Sequence, residues 1–285
     1  IQMIPTLSSV SFDEIIDARN QEGGPAQFFQ LYVSTDRNVV ANMLRRAEEA
    51  NVKAIFVTVD APQLGRREQD MRMHFVDEGS DVQGGHVEKR DEGAARAITS
   101  FIDPSFDWDD VLWMKHQTHL PILLKGVQTW EDAVQAYEMG LAGVVLSNHG
   151  GRQLDFARSG VEVLEEVMRE LRKRGSFPNL AFQVMVDGGF RRGTDILKAI
   201  AMGATAVGIG RPFLYAYSAY GVDGVIHAIN LLRDELEMNM RLIGARSIED
   251  LVPGMVDLSA LHNHTGAAFP RQDQSVLDFM DKSRL

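Results

Sequence analysis

Residues 143–155 read Gly-Val-Val-Leu-Ser-Asn-His-Gly-Gly-Arg-Gln-Leu-Asp, "GVVLSNHGGRQLD". The stretch opens on a nearly continuous apolar run, as expected of a strand buried on both faces of a parallel sheet. It then ends on a histidine, two glycines and an arginine, which a core does not need. The same construction recurs along the chain. "FFQLYV" (Phe28–Val33), "AIFVTVD" (Ala54–Asp60), "PILLKGV" (Pro121–Val127), "AFQVMVDGG" (Ala181–Gly189) and "AVGIGR" (Ala206–Arg211) are further β-rich apolar runs with polar C-terminal ends. "QMIPTL", at the start, reads as the stump of another.

Helical spacing fills the intervals. Val39, Val40, Met43, Leu44 and Ala47 share one face of "RNVVANMLRRAEEANV". Val161, Leu164, Val167, Met168 and Leu171 do so in "GVEVLEEVMRELRKRG", which Gly175 stops. "GTDILKAIAMG" and "GVIHAINLLRDELEMNMRLIG" repeat the pattern. Repeated β-then-α units imply right-handed crossovers between parallel strands.

Six or seven such units favour an α/β fold of the (β/α)8 TIM-barrel type over an open sheet. Gln30 and Tyr32, Thr58 and Asp60, Lys125, Ser147 and His149, Asp187 and Arg211 all lie at C-terminal strand ends. In a barrel those ends share the face that carries the chemistry. The count is one strand short on the N-terminal side. The expectation is therefore the C-terminal portion of a larger barrel, strands 2–8, over residues 1–265, followed by a polar C-terminal tail at 266–285. Within the barrel portion, between the strand ending at Asp60 and the one starting at Pro121, about 74–100 is charged and without apolar periodicity, and a mobile loop or lid is expected there.

A net charge of −11 argues against nucleic acid as a partner, and the absence of cysteine excludes disulfides, thiolate catalysis and Cys-ligated zinc. No apolar run approaches the roughly 18 residues that a membrane span needs, so no membrane partner is expected. His116 with His119, and His262 with His264, lack a completing carboxylate or cysteine, and no metal site is expected. The terminal Ser283-Arg284-Leu285 is close to the peroxisomal Ser-Lys-Leu address, but three residues leave the peroxisome, the mitochondrial intermembrane space and the cytoplasm all open.

Two glycine–arginine turns, "VDGGFRRGTD" and "GIGRPFLYA", suit phosphate: Gly188 and Gly189 let backbone approach a ligand, Arg191 adds charge, and Gly210 with Arg211 repeats the device. Such turns after the last two strands commonly form a barrel's phosphate site. They do not distinguish a phosphorylated substrate from a phosphorylated cofactor. His149 offers a base, Asp60 a carboxylate to orient it, and Arg152 a forked donor for a substrate carboxylate. Lys125, ending an apolar strand, needs an anion or an electron-rich ring nearby, or else serves as a Schiff-base amine.

"SNHGGRQLD" resembles the signature of the FMN-dependent α-hydroxy-acid dehydrogenases and oxidases. "FFQLYV", "FVTVDAPQLGRRE", "LPILLKGV", "VDGGFRRGTD", "GIGRPFLY", "LLRDELEMNMRLIG" and "RAITSFIDPSFDWDDV" support it across most of the chain. The cytochrome-type L-lactate dehydrogenases of that family are the nearer branch, the glycolate oxidases the next.

The resemblance implies FMN as cofactor and a small 2-hydroxy acid as substrate, with oxygen or a haem protein (a cytochrome) as electron acceptor. It also implies a homotetramer. His149 is similar to the catalytic base, Asp60 to its partner, Arg152 to the carboxylate-binding arginine and Tyr32 to a tyrosine that contacts substrate. Arg67 resembles a second arginine near the centre, and Leu7 a substrate-facing position. Gln30, Thr58, Lys125 and Ser147 match the flavin-ring side, and Asp187, Gly188, Gly189, Arg191, Gly210 and Arg211 the ribityl-phosphate side. The family's first strand and a second substrate tyrosine would lie upstream of Ile1. Readings of other classes are a Schiff-base barrel lyase built on Lys125 and a non-catalytic barrel fragment.

Overall fold

Short apolar runs rich in branched residues favour extended chain, and the segments between them carry helical spacing; each folds accordingly. The computed structural model describes residues 1–65, 72, 101–175 and 181–264; Arg67, the loop at 74–100 and the tail at 266–285 lie outside the described residues.

Among the described residues seven strands form one sheet in sequence order: β1 (Gln2–Pro5), β2 (Gln27–Leu31), β3 (Ile55–Thr58), β4 (Ile122–Val127), β5 (Gly143–Leu146), β6 (Gln183–Asp187) and β7 (Ala206–Gly208). Every neighbouring pair is parallel. The segment read as a stump is a full strand, with Gln2–Pro5 in register on Gln27–Gln30. β1 and β7 form the two edges. One strand fewer than eight is what the sequence pattern indicated.

The crossovers are α1 (Phe12–Glu22), α2 (Arg37–Glu49), α3 (Trp108–Gln117), α4 (Trp130–Glu138), α5 (Gly160–Lys173) and α6 (Gly193–Met202), followed by α7 (Arg211–Leu242) and a short α8 (Ser259–His264). α5 shows why they form. Ser159 and Glu162 close a capping box at its start, and Val163, Leu164, Val167, Met168 and Leu171 are at most 1% exposed. Burial of each such side chain contributes about 1.5–3 kcal/mol. α7 is two helices meeting at Gly221, whose φ of 61° and ψ of −146° break the helical path. No helix among the described residues is long and apolar enough to cross a membrane.

The two faces of the sheet bury different sets. Ile55, Val57, Ile122, Leu124, Val144 and Leu146 pack outward against the helices. Phe56, Leu123 and Val145 form a second cluster on the other face, with Met3, Phe28 and Met185 against it. Side chains alternate along a strand. The inner rows therefore continue from Phe28 to Gln30, Phe56 to Thr58, Leu123 to Lys125, Val145 to Ser147 and Met185 to Asp187. Apolar residues fill the interior, and polar residues finish each row at the same end.

Candidate active site

The polar row ends are tied to one another. Gln30, 7% exposed, accepts from the Thr6 backbone N–H through Oε1 (3.1 Å) and donates from Nε2 to Thr58 Oγ1 (2.8 Å). Thr6 Oγ1 donates in turn to the Gln30 carbonyl (2.6 Å) and accepts from the Tyr32 N–H (3.1 Å). Thr58 lies opposite Lys125 in the β3–β4 register.

β4 then departs from regular pairing between Lys125 and Val127, at Gly126 with φ of 104°. A Cβ at Gly126 would fall 2.4 Å from Asp60 Cγ, so the missing side chain makes room for that carboxylate.

His149 has φ of 60°, and Gly150 and Gly151 follow at 65° and 74°. Left-handed backbone is unusual for a residue with a side chain, although His tolerates it better than branched residues do. Here the fold over-determines it. The His149 N–H donates to Ser147 Oγ (3.0 Å), and the Gly151 N–H donates to Asn148 Oδ1 (3.0 Å). The imidazole sits between two partners: Nδ1 is 3.0 Å from Asp60 Oδ1, and Nε2 is 3.4 Å from the Tyr32 hydroxyl. Both members of the His149–Asp60 pair are mostly buried, with side-chain exposures of 16% and 9%. A carboxylate on Nδ1 sets the tautomer that leaves Nε2 as the accepting nitrogen.

Ser147 is fully buried, and its Oγ also accepts from Lys125 Nζ at 3.4 Å. The ammonium lies 3.4 Å from Asp187 Oδ2 as well. The amine thus faces a carboxylate, not the neighbouring cation or apolar pocket that activates imine-forming lysines. Asp187 Oδ1 is buried without a hydrogen-bond partner among the described residues.

Beyond Asp187, Gly188 and Gly189 both take positive φ, 89° and 86°, a backbone path that favours glycine. Open space lies beside Gly189 and Gly210, where a Cβ would find nothing within 4 Å. Arg211 Nη2 donates to the Gly150 carbonyl at 2.6 Å, joining the β7 turn to the histidine loop. Arg191 is exposed, and its N–H donates to Asp195 Oδ2 (3.0 Å) at the start of α6.

The structure thus brings together Tyr32, Asp60, Lys125, Ser147, His149 and Asp187, and joins Gln30 to Thr58 beside them. Arg152 is exposed on the His149 loop. Leu7 packs into the cluster that contains Tyr32, Ala61 and Ile102. Arg67 lies outside the described residues. Sequence reasoning missed Thr6, which braces Gln30 and Tyr32, and Gly126, which admits Asp60. Nothing in "QMIPTL" marks Thr6 as a brace; the glycine of "LLKGV" was visible but had no assigned role.

A family model described as FMN-dependent dehydrogenase matches residues 1–258. The L-lactate dehydrogenase (cytochrome) of Wickerhamomyces anomalus is 55% identical over 264 residues, spanning 92% of this chain and 45% of that protein. Glycolate oxidase 2 of Oryza sativa subsp. indica is 44% identical over 265 residues, spanning 90% and 69%. Among solved structures, the recombinant flavin-binding domain of baker's yeast flavocytochrome b2 aligns with a TM-score of 0.81 at 46% identity, over 100% of this chain and 67% of that one. The chain spans less than half the length of the Wickerhamomyces enzyme it matches.

Proposed function

The chain belongs to the FMN-dependent dehydrogenase family, and from that premise we propose that it oxidises an (S)-2-hydroxy acid, lactate-like, to the 2-oxo acid. The observation that carries this reading is the largely buried chain Asp60–His149–Tyr32, whose histidine backbone N–H rests on Ser147 Oγ, the same atom that accepts from Lys125 Nζ.

The residues fit FMN. Gln30, Thr58, Lys125 and Ser147 present amide, hydroxyl and ammonium groups suited to the hydrogen-bonding edge of a flavin ring. Asp187, with a buried oxygen that has no hydrogen-bond partner among the described residues, would line the ribityl-phosphate side with Gly188, Gly189 and Gly210, where open space lies beside Gly189 and Gly210, and Arg191 and Arg211 would add positive charge. FMN, when bound, supplies the acceptor for the two electrons of the oxidation.

The chain's own residues do the rest. Arg152 and Tyr32 hold the substrate carboxylate and hydroxyl, the guanidinium as a forked donor. His149 Nε2 takes a proton, from the α-carbon or from the hydroxyl, and Asp60 stabilises the imidazolium that results. Lys125 keeps a fixed cation beside the ring site. Leu7 borders the Tyr32 cluster, an apolar contact suited to the methyl group that distinguishes lactate from glycolate.

The electron acceptor in this proposal is a haem protein, with oxygen as the alternative. The assembly in this proposal is a homotetramer, as the family resemblance implies.

An absorbance spectrum of the purified protein tests the reading, followed by anaerobic addition of L-lactate or glycolate. A yellow protein bleached faster by L-lactate is expected, and His149→Gln should keep the colour while slowing bleaching by about 10²–10⁴-fold. A colourless protein, or one that neither acid bleaches, would overturn it.

A further inference from the structure

Gln153 follows Arg152 in the histidine loop, and the mechanism above leaves it without a part. Its side chain is nevertheless fully engaged across the site. Nε2 donates to the carbonyls of Asp60 (3.1 Å) and Gln63 (2.9 Å), and Oε1 accepts from the Gly65 N–H (3.0 Å). These partners lie 88 to 93 residues away in sequence, so one amide joins the loop after β5 to the segment after β3. The two segments also meet without spare room: a Cβ on Gly65 would fall 2.5 Å from the Arg152 carbonyl oxygen and 2.8 Å from Gln153 Cα.

Asp60, by contrast, is thinly held at its own carboxylate. Oδ1 meets His149 Nδ1, while Oδ2 is buried without a hydrogen-bond partner among the described residues. Gly126 allows the carboxylate in but offers it no donor side chain. The aim of the carboxylate therefore depends on where the Asp60 backbone is fixed, and the Gln153 amide fixes the Asp60 carbonyl.

We propose that Gln153 is a positioning residue: by clamping segment 60–65 onto the histidine loop it holds Asp60 against His149 Nδ1. The role in turnover rests on the function proposed above, whereas the clamp is a property of the fold alone. A positioning error of about 1 Å costs on the order of 10²-fold in rate, so a single amide acting in this way has a measurable effect.

Two variants of the full-length, FMN-loaded protein separate the possibilities. Gln153→Met keeps the length and volume of the side chain and removes all three bonds. Gln153→Glu keeps an acceptor for the Gly65 N–H but sets a carboxylate against two carbonyl oxygens. In both, flavin reduction by L-lactate should slow about 10- to 100-fold, with FMN content retained, while amide hydrogen exchange across 60–65 quickens. In an Asp60→Ala background, adding Gln153→Met should change the rate less than about threefold, because residues acting as one unit are not additive.

Reduction at the wild-type rate in Gln153→Met would overturn the proposal. So would a full multiplicative loss in the Asp60→Ala background, which a merely structural glutamine produces. If no hydroxy acid reduces the wild type, the functional reading falls and takes the positioning role with it. Exchange across 60–65 then reports on the clamp separately, and unchanged protection in Gln153→Met would dismiss that too.

Discussion

Two residues show how closely the site is built. Asp60 reaches His149 Nδ1 only because Gly126 has no side chain, and Gly126 also holds a φ of 104° that L-residues rarely adopt. Gly126→Ala should therefore act twice. It should lower stability by about 1–3 kcal/mol through backbone strain and overpacking, and it should push Asp60 off the imidazole, slowing flavin reduction. Chemical denaturation and anaerobic reduction measured on the same variant check this; a stable protein with an unaltered rate would show that the carboxylate has slack. At this scale the sequence was legible where chemistry is rare in cores. A histidine, an arginine and a lysine closing apolar strands declare themselves. Thr6, Gly126 and Gln153 do not, because their roles consist of contacts with residues distant in the chain, and neither residue type nor local spacing encodes such contacts.

Elements were legible through their periods, and their mutual fastening was not. Strand runs and helix faces follow from alternation and 3.6-residue spacing, so "GVVL" and α5 could be placed directly. Arg37, at the first position of α2, carries no such signal. It donates to Asp103 (2.6 Å), Asp110 (2.7 Å) and the Ser34 carbonyl (2.6 Å), tying the β2–α2 turn to the segment 102–103 and to the start of α3. Ser34 and Ile102 also form an antiparallel bridge at the same junction. Asp103 is 6% exposed, and without Arg37 its buried carboxylate would lose its cation. Arg37→Met should cost about 1.5–3 kcal/mol, the range for hydrogen bonds to charged groups. The guanidinium's 31% exposure keeps the cost below that of breaking a fully buried pair. A shift in the urea midpoint with unchanged slope would register it. A loss under about 0.5 kcal/mol, the range of an ordinary surface substitution, would mean that the junction is held by the backbone bridge.

Across the whole molecule, the sheet's two-sided burial made both the architecture and the location of the site readable, since inner rows must change from apolar to polar where a barrel opens. The distribution of charge bears on stability in a way that no motif revealed. Glu48, Asp103 and Glu170 all titrate below the ordinary carboxyl range. For Glu48 the Thr118 hydroxyl (2.6 Å) and the His119 N–H (2.6 Å) favour the anion. For Asp103 and Glu170 burial pushes upward and is outweighed, by Ser105 with Arg37 and by Lys173 with Arg174 respectively. In the unfolded chain these groups return to ordinary values, 4.5 for Glu and 3.8 for Asp. Within the window between the two states the unfolded chain binds more protons, so stability rises with pH. The contribution is complete above the unfolded values and is lost as pH falls through the lower folded ones. Glu48→Gln retains an acceptor for Thr118 and His119 but removes the titration. The variant should be less stable than the wild type at pH 7 and approach it as pH falls towards 3. Urea midpoints measured across that range decide the matter, and curves that stay parallel would show that the Glu48 charge contributes nothing to holding α2 on the loop before β4.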